Sequence, residues 1–172
     1  TTVFRYRGEE NWVFGPHEGQ PDTGEKLIPQ KKFSAYCRGV SYWEAKAPVE
    51  GEPCQKRIFR NDNFGHLFAV DADTGLACKD FGAEYGHPGY VSNWDFEVNG
   101  EDKYRGVATP PGVVGDLVIG ASGANDSNAN ANDGIVRAYD VRTGSVVWEF
   151  NPIPEEYRDK SGAANVWAPI VG

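Results

Sequence analysis

Residues 66–75 read HLFAVDADTG, and residues 134–144 read GIVRAYDVRTG. Each is a short apolar run that closes on Asp-x-x-Thr-Gly. Each is followed at once by a second run ending in an aromatic, LACKDF (76–81) and SVVWEF (145–150). A strand, a tight turn supported by Asp and Thr side chains, a glycine for positive φ and a returning strand make a hairpin. The same hairpin recurs 69 residues later, counted from Asp71 to Asp140, with Ala, Asp, Thr and Gly in register. A third, worn copy is legible in PDTGEKL, residues 21–27. Two unrelated hairpins of a sandwich would share residue kinds without sharing register. Repeated antiparallel hairpins at this spacing point to an all-β fold built of propeller blades.

Composition sets the outer bounds. The chain has 172 residues, 40% hydrophobic and 13% aromatic, which is one domain's worth of material with enough apolar surface for a core. No apolar run approaches the 18 or so residues of a membrane span, and no signal-peptide pattern opens the chain. Methionine is absent even at position 1, and the chain stops straight after the apolar run VWAPIVG, so it reads as an excised piece. A net charge of −8 argues against a nucleic-acid partner held through phosphates. The three cysteines, Cys37, Cys54 and Cys78, form no CxxC pair, which disfavours zinc. One disulfide with a spare thiol would fit an oxidising compartment.

Helical periodicity is absent throughout. Residues 1–32 carry only a weak strand at 12–14. YCRGVSYW (36–43) is aromatic and β-branched, as strands are. Strands at 54–60 and 66–71 flank the turn-like NDNFG, and 76–81 returns from the repeated turn. Four consecutive strands over 36–81 are expected to make one antiparallel blade. In that arrangement Cys54 and Cys78 stand two strands apart, roughly 10 Å, too far for a bridge within the blade. Residues 82–105 are irregular and rich in aromatics, and read as a binding loop. A second blade is expected over 108–150, interrupted by the Asn- and Asp-rich stretch 122–134, and a third is expected to open at 165–172.

Four segments in order, CRGVSYW (37–43), ATPPGVVGDLVIGASGAND (108–126), the Asp-x-x-Thr-Gly hairpins and NVWAPI (165–170), resemble the quinoprotein dehydrogenases. These are eight-bladed propellers that use pyrroloquinoline quinone. The likeness runs from about residue 33 to 170 and is strongest to the membrane glucose and quinate dehydrogenase branch. The resemblance implies that Arg38 touches the cofactor, whose three carboxylates suit the guanidinium fork. It implies cofactor contacts for Ser122, Gly123 and Ala124, small residues that let backbone approach a flat ligand. It places Thr109 within hydrogen-bond reach and Trp167 beneath the quinone ring, since a planar π system prefers an offset aromatic partner. A bare arginine at a strand end is otherwise a surface ion pair, and a bare tryptophan in a strand is otherwise core. The metal, Ca²⁺ or Mg²⁺, takes oxygen ligands, and the resemblance assigns one to Asn125 or the adjacent Asp126. The family pattern puts an acidic residue first, whereas this chain reads Asn-Asp. The glucose branch also has a histidine where this chain has Ser34. His66 opens a strand beside a turn and reads as solvated.

By the same resemblance the catalytic base is an aspartate well downstream of Trp167, so no catalytic residue is assigned within these 172 residues and the chain alone is expected to be inactive. The implied activity is oxidation of an alcohol, sugar or cyclic polyol by hydride transfer to the quinone, passed on to a quinone or cytochrome acceptor in the periplasm or at the inner membrane. The remaining blades are the expected partner. A different class of function fits the same hairpins, namely a non-catalytic propeller that binds or assembles proteins. A calcium-binding structural repeat built on SNANAND does not match known loop spacings.

Overall fold

A computed structural model describes residues 2–6, 9–13, 39–62, 65–97, 106, 109–125, 127–160, 162–166, 168 and 170, with side chains from residue 39 onward. Strands β1 (Thr2–Tyr6) and β2 (Glu9–Val13) form an antiparallel hairpin where composition suggested only one weak strand. The rest is organised in two four-stranded sheets, each antiparallel with consecutive strands adjacent. The first holds β3 (Ser41–Glu44), β4 (Lys56–Asn61), β5 (His66–Asp71) and β6 (Tyr90–Ser92). The second holds β7 (Gly112–Val114), β8 (Leu117–Ala121), β9 (Val136–Asp140) and β10 (Val146–Phe150). No α-helix occurs among the described residues.

The repeated turn forms as its residues dictate, twice. Asp71 Oδ1 accepts from Asp73 N (3.0 Å), Thr74 N (2.9 Å) and Thr74 Oγ1 (3.0 Å). Asp140 Oδ1 accepts from Arg142 N (2.9 Å), Thr143 N (2.8 Å) and Thr143 Oγ1 (3.2 Å). One carboxylate oxygen thus gathers two backbone N–H groups that the reversing chain would otherwise leave to water, together with the threonine hydroxyl. The closing glycines Gly75 and Gly144 sit at φ 75° and 78°, where a side chain is strained.

The fourth strand of the first sheet is not 76–81. After the turn the chain starts back along β5, with Ala77 bridged to Val70 and Cys78 N donating to Ala69 O. It then leaves the sheet. Cys78 is bonded to Cys54, with Cα atoms 5.8 Å apart, which corrects the expectation that these cysteines lie too far apart. Strand counting failed because neither cysteine is on a regular strand. Cys54 precedes β4 in the left-handed region (φ 58°), and its N–H donates to Asp71 Oδ2 at the end of β5. Both cysteines are therefore drawn to the same end of β5. The vacated fourth place is filled by β6, paired Phe68↔Tyr90 to His66↔Ser92. Of the stretch 82–105, expected to be a binding loop, the described residues 82–97 thus carry a strand and packing residues. Tyr85 meets Phe96 edge-on at 5.6 Å, and Arg137 lies 4.3 Å over Phe96.

The two sheets pack face to face. Trp43, Phe59, Leu67, Ala69 and Val91 of the first, with Phe81 from the segment after the disulfide, meet Val118 and Tyr139 of the second and Val141 just past β9. Burial pushes the Tyr139 phenol well above the ordinary tyrosine value, so it stays protonated. The alternate residues of the second sheet, Ile119, Ala121, Val136 and Ala138, face away and pack on Val166 and Ile170.

The seam between the sheets is polar at the end bearing the repeated turns. Arg57 is fully buried and donates through Nε to Cys54 O (3.0 Å), through Nη1 to Arg142 O of the second turn (3.0 Å), and through Nη2 to the Asp80 carboxylate. Trp43 Nε1 donates to Asp116 Oδ1 (3.0 Å), and the Arg142 guanidinium lies 4.7 Å over the Trp43 ring. Gly82 N donates to Thr143 O (2.8 Å). Arg57→Met should cost about 3 kcal/mol, because the buried Cys54 carbonyl, the part-buried Arg142 carbonyl and the Asp80 carboxylate all lose their donor. Lys56→Met removes only an exposed ion pair to Asp73 and should cost no more than about 0.5 kcal/mol. Urea midpoints compare the two, and equal losses would contradict the stapling role of Arg57.

Candidate cofactor and metal site

Antiparallel pairing puts one end of every strand together. The N-terminal ends of β3, β5, β7 and β9 share an end of the fold with the C-terminal ends of β4, β6, β8 and β10. The disulfide and the repeated turns occupy the opposite end. Of the residues singled out for cofactor binding, Thr109, Ser122, Gly123 and Ala124 fall at the first end, and extending the β7–β8 register (Gly112↔Ile119) brings Thr109 opposite Ser122. Gly39, which follows Arg38, lies against Pro110, which follows Thr109; a Cβ there would sit 3.0 Å from Pro110 Cγ. Arg38, Asp126 and Trp167 lie outside the described residues.

Side-chain amides join the sheets at this end. Asn61 Nδ2 donates to Thr109 O (2.9 Å), and Asn93 Nδ2 to Ala121 O (3.5 Å). Ser41 Oγ donates to Pro111 O. Thr109 itself is buried.

Beyond β8 the chain runs through Ser122, Gly123, Ala124 and Asn125. Ser122 N still donates to Ile135 O (2.7 Å), prolonging the ladder by one residue. Ser122 is 1% exposed, and its Oγ has no hydrogen-bond partner. A buried hydroxyl left unsatisfied costs about 1–3 kcal/mol, so this atom is placed for a ligand or a water. Gly123 O accepts from Asn132 Nδ2 (2.9 Å), and Ala124 O from Asn165 Nδ2 (3.2 Å). Asn125 is exposed, and its Oδ1 accepts from Ser127 N (3.1 Å), an Asx turn. A second such turn follows, Asn128 Oδ1 accepting from Asn130 N (2.9 Å). The Asn-rich stretch is thus a pair of local turns. It ends on buried Asn132 and Asp133, whose Oδ2 accepts from Asn151 Nδ2 (2.7 Å).

A small-residue loop with a buried orphan hydroxyl and a buried threonine opposite suits a flat anionic cofactor, and the exposed Asn125, whose Oδ1 already accepts from Ser127 N, has a second lone pair of the kind a hard cation takes. Sequence reasoning missed Asn61, Asn93, Asn132 and Asn165. Each acts on a backbone carbonyl 9 to 48 residues away, and no local pattern marks such a contact.

Two other groups are accounted for structurally. Cys54, Cys78 and Asp80 are close enough to hold a metal among the described residues, but the disulfide takes both sulfurs and Arg57 takes Asp80. His66 is not solvated as expected. Its side chain is 12% exposed, its Nδ1 lies 3.0 Å from Asp62 Oδ2, and its ring meets Tyr90 edge-on at 5.4 Å. His87 stacks on Tyr90 at 4.8 Å and lies 3.1 Å from Asp95. These contacts settle the edge beside β6.

Comparison with known proteins supplies the context. Residues 6–172 match the family described as PQQ glucose/ethanol/alcohol dehydrogenase, beta-propeller domain. The chain is similar to quinoprotein glucose dehydrogenase A of Acinetobacter calcoaceticus, 33% identical over 95% of this chain and 21% of that protein. It is 36% identical to the quinoprotein glucose dehydrogenase of Gluconobacter oxydans over 90% of this chain and 19% of that protein. To the quinate/shikimate dehydrogenase (quinone) of Acinetobacter baylyi it is 32% identical, over 84% and 21% respectively. The chain spans about a fifth of the length of these curated relatives.

Proposed function

Because the chain belongs to the PQQ-dependent glucose/ethanol/alcohol dehydrogenase β-propeller family, we propose that it supplies one wall and the floor of the quinone site of such an enzyme. In this reading the two sheets are successive blades and 165–172 opens a third. The remaining blades complete the site. The observation that carries the reading is the buried, unpartnered Ser122 hydroxyl on a small-residue loop at the end of the fold shared with Thr109.

The residues divide the work by chemistry. Arg38, Thr109, Ser122, Gly123 and Ala124 bind the cofactor's carboxylates and edge, and Trp167 lies beneath its ring. Asn125 or Asp126 gives an oxygen to the cation, Ca²⁺ or Mg²⁺. When bound, the quinone supplies a hydride-accepting carbonyl and the cation a Lewis acid to polarise it. These residues orient and hold; none is assigned as the base that takes the substrate's hydroxyl proton. The substrate is an alcohol, sugar or cyclic polyol, the electrons pass to a quinone or cytochrome, and the setting is periplasmic, in keeping with a disulfide.

The test uses the complete polypeptide that carries this sequence. Apo protein is titrated with pyrroloquinoline quinone, and binding is followed by tryptophan fluorescence. Trp167→Ala should weaken binding, and Ser122→Ala should weaken it by about tenfold, the loss of one buried hydrogen bond. Asn125→Ala with Asp126→Ala should abolish the divalent-ion requirement together with activity. If a protein carrying all four changes still bound the quinone and turned over normally, the assignment would be wrong.

A further inference from the structure

Three successive amides set the character of the loop after β8. Among the described residues, none accepts a hydrogen bond from the N–H of Gly123, Ala124 or Asn125. The carbonyls of Gly123 and Ala124, by contrast, are both taken by asparagine side chains. In a trans peptide the C=O and the N–H of one planar unit point in opposite directions, and no cis bond occurs here. The Gly123 carbonyl shares its plane with the Ala124 N–H, and the Ala124 carbonyl shares its plane with the Asn125 N–H. Fixing each carbonyl on an asparagine therefore aims the next N–H to the opposite side.

We propose that Asn132 and Asn165 are positioning residues that aim the N–H groups of Ala124 and Asn125 at a carboxylate of the cofactor. Successive N–H groups presented on one concave side make an anion-binding nest. Glycine at 123 and alanine at 124 leave room for the ligand to come close.

The two asparagines are themselves held. Asn132 is fully buried, its own carbonyl accepts from Ala163 N (3.3 Å), and its Nδ2 also reaches Asp133 O (3.4 Å). Residues 162–164 lie along 129–134, with Gly162 N donating to Ala129 O (2.8 Å) and Gly134 N to Ala164 O (2.8 Å). Asn165 is the next residue in that run and stands two before Trp167 in sequence. It thus ties the loop after β8 to the run 162–166, so the loop's carbonyls are fixed before any ligand arrives.

This inference rests on the reading of the loop as a cofactor contact, and the experiment separates the two. In the complete polypeptide, Asn165→Ala and Asn132→Ala should each weaken quinone binding by about tenfold. Asn165 is half-buried, so Asn165→Gln, which keeps an amide donor, should recover most of the affinity. Amide exchange gives a readout that a merely structural role would not move. Quinone binding should slow exchange at Ala124 and Asn125 in the parent protein, and the slowing at Asn125 should be lost in Asn165→Ala, measured well below the unfolding transition. If Ser122→Ala loses affinity while both asparagine variants bind as the parent does, the positioning role is overturned and the cofactor reading stands. If Ser122→Ala binds unchanged and the parent shows no slowing at Ala124 and Asn125, the cofactor reading falls and this inference falls with it.

Discussion

Gly82→Ala is expected to destabilise the protein by about 4 kcal/mol, at the far end of single-substitution effects. Gly82 sits at φ 77°, and a Cβ there would lie 1.8 Å from Tyr90 O and 2.7 Å from His87 O. Those oxygens belong to backbone, so nothing flexible can move aside. Relief requires shifting β6 or withdrawing Gly82 N from Thr143 O, which opens the seam between the sheets. Gly86 is the matched control. It has nearly the same φ, 79°, with nothing within 4 Å of its added Cβ. Gly86→Ala should cost only the backbone strain, about 1 kcal/mol. Denaturant midpoints of the two variants isolate the close approach from the conformational preference. Equal losses would mean that the chain does not pass so near β6.

Replacing Cys54 and Cys78 together by serine should cost about 3 kcal/mol. The bond joins residues 24 apart in sequence, and a closed loop of this length restrains the unfolded chain by about that amount. It also anchors the carbonyl of Cys54 that Arg57 uses, so the sheet seam should weaken along with the loop. The double replacement is preferable to a single one, which leaves a free thiol beside its lost partner. Thiol titration of the denatured, unreduced protein gives a direct count. Of three cysteines, one should react. Three reactive thiols, or a double-serine variant with the parent's unfolding midpoint, would show that the bond does not form.

What could be seen in the chain beforehand depended on how local each feature is. The Asp-x-x-Thr-Gly turn was legible because its donors and acceptor lie within five residues. Its repetition carried the all-β propeller architecture, and four short motifs in order carried the family. Strands β4, β5, β9 and β10 were legible from apolar and β-branched runs beside those turns. Strand β6 was not, because YVS is three residues long within an aromatic stretch. It is a strand because Cys78 leaves the sheet and exposes the edge of β5. For the candidate site, Thr109 and the loop 122–125 were named by resemblance alone, and they share one end of the fold. Arg38, Asp126 and Trp167 lie outside the described residues.

By itself, then, the amino-acid order determined the turns, most strands and the family, since these depend on backbone preferences and side chains a few residues apart. Tertiary structure decided the rest. It chose the fourth strand of the first sheet, joined Cys54 to Cys78, buried Arg57 between two sheets and set four asparagine amides on distant carbonyls. Each of these pairs groups that are remote along the chain. Their energies arise only once burial removes water and leaves each polar group to find a partner inside the protein.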